Sequence, residues 1–185
     1  LSGVADGKML KSKGVEVQHD LSGVGRNLQD HLQVRMIYKC SKPVSINDTV
    51  RNPFKKMMMG LEFLFNRSGI LTIGAGQAGG FVKVMPDAAT PDMQFHFMTM
   101  SADKPGQGLH KFSAFTSTVC QLRPESRGYL EIKSSDPAEK PALHPNYLSE
   151  DLDRRFFVEA LKFGRKVAEQ PSLQAYISEE MEPGI

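Results

Sequence analysis

Phe112-Ser113-Ala114-Phe115-Thr116-Ser117-Thr118-Val119-Cys120-Gln121-Leu122-Arg123 is a long run with the two-residue period of a β-strand. Ala114, Thr116, Thr118 and Cys120 fall on one side of it, and Phe115, Ser117 and Val119 on the other. Residues 93–100, rich in Phe and Met, precede it, and 128–133, with Tyr129-Leu130-Glu131-Ile132, follow it. Turn chemistry separates the three runs and no helical period intervenes. That order predicts antiparallel pairing rather than a βαβ sheet. Further out, Phe81-Val82-Lys83-Val84-Met85 reads as a strand ended by Pro86. Val34, Met36 and Tyr38 alternate in a strand over 33–40 that Ser41-Lys42-Pro43 breaks. Val15 and Val17 alternate with Glu16 and Gln18, which predicts a short strand after a polar connector (1–14) around a short helix.

Two segments change period. Phe54, Met57, Met58, Leu61, Leu64 and Phe65 fall at helical spacing, with Pro53 in the first turn and Ser68-Gly69 as the stop. A longer helix begins after Ser149, with Glu150, Asp151 and Asp153 at its positive end. Its buried stripe is Leu152, Phe156, Ala160, Phe163 and Val167, and Pro171 ends it. Arg154, Arg155, Lys162, Arg165 and Lys166 fall mostly off the stripe and read as a solvated face. The fold class expected is α+β, an antiparallel sheet of about five to six strands flanked by helices.

Composition narrows the function classes. The chain has 185 residues, of which 40% are hydrophobic and 24% charged, ordinary globular values. At about 100–200 residues per domain, one domain with a fragment of a neighbour is expected. Lys and Arg number 23 against 21 Asp and Glu, a net +2, too balanced for net charge to imply a nucleic-acid or membrane-surface partner. No stretch approaches the ~18 apolar residues of a membrane span. Cys40 and Cys120 lie far apart without a CxxC, so neither a disulfide framework nor a cysteine zinc site is expected. The start at Leu1 leads us to expect a piece of something longer.

Motifs with chemistry are scarce. Gly74-Ala75-Gly76-Gln77-Ala78-Gly79 matches GxGxxG, but Gly80-Phe81-Val82-Lys83-Val84-Met85-Pro86 follows, too short and too β-prone for the helix that a pyrophosphate needs. There is no HExxH, GxSxG or Walker A run, and no histidine has a partner at metal-ligand spacing. Asp30-His31 could form an acid–base pair, though adjacent side chains usually point apart. Asn47-Asp48-Thr49 and Asn66-Arg67-Ser68 fit the glycosylation sequon and read as accidental.

A resemblance adds what chemistry does not. Leu1-Ser2-Gly3-Val4, then Asp20-Leu21-Ser22-Gly23-Val24-Gly25-Arg26-Asn27-Leu28-Gln29-Asp30-His31, resembles the middle of the glucose-methanol-choline (GMC) flavoprotein oxidoreductases, in their choline dehydrogenase-like branch. The similarity continues through Gly69-Ile70-Leu71-Thr72, Ala78-Gly79-Gly80-Phe81, Pro91-Asp92-Met93-Gln94-Phe95-His96-Phe97 and Pro124-Glu125-Ser126-Arg127-Gly128. It closes with Asp136-Pro137, Pro145-Asn146-Tyr147-Leu148 and Asp151-Leu152-Asp153.

The resemblance implies FAD as cofactor and hydride transfer from an alcohol CH–OH to flavin. It implies that 1–32 is an edge of the FAD-binding domain with a connector, and 33–185 the substrate-binding domain. In that family the FAD fingerprint lies upstream and the catalytic histidine in a downstream HxxGT run. None of His19, His31, His96, His110 and His144 is followed by that pattern. So no catalytic residue and no metal site is expected in this chain, which alone should be inactive. By resemblance, Asn27, Asp30 and His31 are cofactor-binding candidates, and Gln77, Phe81, Phe95, His96 and Phe97 line the substrate pocket. The alternative for the phenylalanines is a place in the core. Choline-oxidising relatives often carry Glu near Gln77, so the neutral amide predicts an uncharged small alcohol. The partners implied are that alcohol and the rest of the FAD domain, in the cytoplasm, at most peripheral to a membrane. The competing reading is a free-standing binding or assembly module.

Overall fold

The computed structural model describes residues 1–104 and 106–184. In chain order the strands are β1 (Val4–Ala5), β2 (His19–Asp20), β3 (Arg26–Leu28), β4 (Gln33–Cys40), β5 (Ala78–Val82), β6 (Met93–Met98), β7 (Ala114–Gln121), β8 (Gly128–Glu131), β9 (Ala142–His144) and β10 (Ile177–Glu182). The helices are α1 (Gly7–Ser12), α2 (Ile46–Arg51), α3 (Pro53–Asn66), α4 (Asp151–Ala168) and α5 (Pro171–Gln174). The mixture is α+β, as expected. Contacts divide the chain into two units, Leu1–Leu32 with Arg123–Arg155, and Gln33–Leu122 with Phe156–Ile185.

The first unit holds the parallel pair β1–β2 and a three-stranded antiparallel sheet in the order β3-β8-β9. The strand predicted at Val15 and Val17 lies instead at His19–Asp20. The Val15 N–H is taken up in closing α1, donating to the Leu10 carbonyl at 3.0 Å, and pairing begins only where Gln18 and His19 both donate to Gly3 O. Strand β9 sits in what reads as a proline-punctuated loop, because Pro141 and Pro145 bracket three residues at a sheet edge. Gly128 has no alternative in β8: a Cβ there would sit 2.2 Å from the His144 carbonyl oxygen.

The second unit is a five-stranded, fully antiparallel sheet in the order β10-β4-β7-β6-β5. All eight residues of the central β7 are buried, so its alternation marks two covered faces rather than one wet and one dry. Cross-strand partners share a face. One face carries Met36, Tyr38, Phe115, Ser117, Val119, Phe95 and Phe97. Gly164 of α4 lies directly on Met36 there, where a Cβ would meet the methionine methyl at 2.2 Å, and Phe156 and Ala160 of the same helix are fully buried. The other face carries Arg35, Ile37, Thr116, Thr118, His96 and Phe81. Residues 100–103 lie over it, since Thr116 Oγ1 donates to Met100 O and the Arg35 guanidinium to Ala102 O and Asp103 O.

Edge strand β10, Ile-Ser-Glu-Glu-Met-Glu, has no apolar run to announce it. It pairs with β4 through two irregular steps, and the Arg165 guanidinium forks onto the Glu180 carboxylate at 2.8 and 3.0 Å. Burial pushes the Tyr38 hydroxyl up to about 12, with the Glu180 charge adding to the shift. The neutral phenol is the form the fold favours. Its contribution to stability is therefore present below pH 10 and lost as pH rises from 10 to 12. In a phenolate absorbance titration a late step near pH 12 is expected, and Tyr38→Phe should abolish it.

Candidate functional site

The second unit places the five pocket candidates on two faces of one sheet corner. Phe81 pairs with Gln94 and Gly79 with His96, so the Phe81 and His96 side chains share one face. Phe95 and Phe97 point to the opposite face, and the Phe97 ring lies 4.9 Å from that of Phe115. Phe81 is 60% exposed, whereas Phe95, His96, Phe97 and Gln77 are half-buried. Gln77 precedes β5; its backbone N–H donates to Phe97 O at 3.0 Å, and its carboxamide oxygen accepts from Thr99 N (3.0 Å) and Thr99 Oγ1 (2.5 Å). The side-chain nitrogen of Gln77 has no hydrogen bond among the described residues.

On the α4 side, Phe97 helps line a largely apolar cavity of about 250 Å³ with Cys40, Thr99, Phe115, Leu173 and Tyr176. Burial raises the Cys40 thiol above its usual range, so it behaves there as a small apolar group. On the other side, glycines bare the sheet: Gly79 stands opposite His96, where a Cβ would sit 2.7 Å from Phe95 O, and a Cβ on Gly76 would lie 3.8 Å from His96 Nδ1. An exposed phenylalanine, an imidazole and a glycine-flattened strand suit a flat heteroaromatic ring with polar edges. They do not suit a pyrophosphate, because run 74–79 leads into β5 and not into a helix N-terminus.

The cofactor candidates of the first unit lie close together in sequence and differ in structure. Asn27 takes φ +57 within β3, an αL conformation that asparagine tolerates better than most. Asp30 accepts the backbone N–H of His31 at 2.7 Å and the Tyr147 hydroxyl. The Tyr147 hydrogen bond, helped by the His31 N–H, holds the Asp30 carboxyl below the usual range, and the same bond raises the Tyr147 phenol. Among the described residues, no hydrogen bond joins the Asp30 carboxylate to the His31 ring. Tyr147 had no signal in the sequence beyond its place in the resemblance.

One further cluster has no signal in the sequence. His110 Nδ1 lies 3.0 Å from Ser101 Oγ and its Nε2 2.7 Å from Asp103 Oδ1, a Ser–His–Asp contact set. Ser101 is buried and its hydroxyl already accepts from Asn47, so it is no nucleophile. The set ties His110 to Ser101 and Asp103. Among the described residues no group of three metal-ligating side chains occurs and no helix is long and apolar enough to cross a membrane.

Comparison with known proteins finds relatives of the chain. The family model described as GMC oxidoreductase matches residues 124–184. The chain is 37% identical over 183 residues to the oxygen-dependent choline dehydrogenase of Acinetobacter baumannii (strain AYE), covering 99% of this chain and 33% of that protein. It is 35% identical over 184 residues to the one from Pseudomonas fluorescens (strain Pf0-1), covering 100% of this chain and 32% of the relative. It thus spans about a third of the length of these curated relatives. Among solved structures, a formate oxidase superposes with a TM-score of 0.85 at 21% identity, over 100% of this chain and 37% of that one. Pyridoxine 4-oxidase from Mesorbium loti gives 0.75 at 21%, over 99% of this chain and 32% of its own. At that identity the likeness concerns the fold.

Proposed function

Since the chain belongs to the GMC oxidoreductase family, we propose that it supplies the substrate side of an FAD-dependent enzyme that oxidises small alcohols. The observation that carries this is identity of 37% spread over 99% of the chain, far beyond any single motif. Bound FAD would supply the hydride acceptor for the alcohol carbon. The residues of this chain bind, orient and exclude water. Phe81 and His96 present a ring and an imidazole on one sheet face, the side proposed to cover the flavin and the reacting alcohol. Gln77, fixed by Thr99, presents its free amide nitrogen as a donor, while Phe95 and Phe97 back the pocket from the core side. Asn27, Asp30 and His31 of the first unit are proposed to touch the cofactor. The edge of the FAD domain is proposed at 1–32 and the substrate-binding domain at 33–185; the break at Leu32/Gln33 supports that bound, while Arg123–Arg155 clusters with Leu1–Leu32. A cytoplasmic location is proposed with it.

None of the five pocket residues is a carboxylate, so a trimethylammonium alcohol would lack the Coulomb attraction worth about 1–4 kcal/mol at a partly exposed site. An uncharged alcohol is therefore proposed as substrate. The test is a panel of uncharged primary alcohols and choline offered to the full-length protein, with the 185-residue chain as control. Uncharged alcohols should lead in kcat/KM, and the control should purify colourless and inactive. A clear preference for choline would sink the substrate assignment. A flavin absorption band in the control would sink the assignment of inactivity.

A further inference from the structure

Within the first unit, the Tyr147 hydroxyl donates to the Asp30 carboxylate across 117 positions of sequence. The same carboxylate accepts the His31 N–H at 2.7 Å. One residue earlier, Gln29 Nε2 donates to Pro124 O at 3.2 Å. Residues 29–31, directly after β3, are thus held at two points from the distant stretch 124–147.

The backbone that delivers Tyr147 is strained. Asn146 has φ +54 and Leu148 φ +58, so two residues in the left-handed region flank the tyrosine. Asparagine tolerates that region, but leucine is uncommon there, because its Cβ crowds the following carbonyl oxygen. Neighbours hold the turn in this shape. Asn146 Nδ2 donates to Arg127 O at 3.1 Å, and Arg154 Nη1 donates to Leu148 O at 2.6 Å and Ser149 O at 2.9 Å. Strain kept in place by surrounding bonds points to a role for the side chain it aims. The bond so aimed also survives a wide span of pH. It holds the Asp30 carboxyl below its ordinary range and the Tyr147 phenol above its own, so neither partner changes charge between.

We infer that Tyr147 is a positioning residue: acting through Asp30, it fixes the 29–31 loop in the form that meets the cofactor. This rests on the reading that Asn27, Asp30 and His31 touch FAD. With the carboxylate already held, the loop need not be ordered when FAD binds, and binding is stronger for it. The test is the FAD affinity of the full-length protein, read from flavin fluorescence as FAD is returned to the stripped enzyme. Amide hydrogen exchange of the stripped enzyme is measured beside it. Tyr147→Phe should weaken FAD binding roughly tenfold, the worth of one charge-assisted hydrogen bond, and speed exchange at 29–31 alone. Asp30→Asn should weaken it at least as much. The double variant should lose no more than Asp30→Asn, because Tyr147 acts through that carboxylate. Full additivity of the two losses would overturn the inference. So would faster exchange throughout 1–32 and 123–155, which would make the bond a general prop of the fold. Unchanged affinity in Tyr147→Phe beside a loss in Asp30→Asn would overturn it and leave the cofactor reading standing. Unchanged affinity in Asp30→Asn would sink that reading, and the inference with it.

Discussion

Asn47→Ala should lower the stability of the second unit by about 2–4 kcal/mol, read as a fall in the urea midpoint at constant slope. Asn47 is 2% exposed. Its carboxamide oxygen accepts the Ser101 N–H at 3.0 Å. Its nitrogen faces Ser101 O and Oγ at 3.1 Å, His110 O at 3.2 Å and Phe112 O at 3.3 Å. One side chain thus ties Ser101 to His110 and Phe112, the two ends of the segment 101–112. Alanine leaves a buried N–H and several carbonyls without partners, each costing about 1–3 kcal/mol if water cannot reach it. Aspartate should be no better, because its oxygens would face four acceptors. A loss below about 1 kcal/mol for both variants would show that water replaces the amide, and the segment would not depend on Asn47. The same burial disposes of the first sequon. An amide with both ends engaged inside the fold cannot carry a glycan, whereas Asn66 is exposed at the end of α3.

What was legible in the sequence follows from which interactions are local. The alternation of β4 and β7 and the stripe of α4 are written in neighbouring residues, so period alone finds them. Strand β10 is not: Glu179, Glu180 and Glu182 take a ladder because Lys39 and Arg165 lie within ion-pair reach, and that reach exists only after folding. Strand β9 and the shift of β2 fail for the same reason, since their partners are distant carbonyls. The period of α3 reads correctly as a helix but carries no information on what its apolar side meets. The pocket candidates share this limit. Two-residue alternation within β6 puts His96 on one face and Phe95 and Phe97 on the other, but the period does not tell which face meets a substrate. Asp30 could be singled out by its place beside a histidine, yet its real partner is Tyr147, 117 positions away.

Asp153→Ala is expected to be the costlier change to the first unit, about 3–5 kcal/mol, and enough to leave a marginal domain unfolded at physiological temperature. Asp153 is 2% exposed in the first turn of α4. One carboxylate oxygen accepts the Glu125 N–H at 2.9 Å and the other the Ser126 N–H at 2.8 Å, both charge-assisted. Two of the sequence stretches that carry the family resemblance, Pro124–Gly128 and Asp151–Asp153, are therefore one structural device. The aspartate orders the turn, Ser126 Oγ accepts the Glu150 N–H at 3.2 Å, and Gly128 lets β8 approach β9 backbone to backbone. Asp153→Asn discriminates between a charge role and a shape role. The amide keeps one acceptor and turns a donor toward the other N–H, so it should lose about 1.5–3 kcal/mol, between wild type and alanine. If Asn and Ala cost the same, the second hydrogen bond adds nothing. If Asn is neutral, the carboxylate charge is irrelevant and the pairing of these two stretches has a purely steric origin.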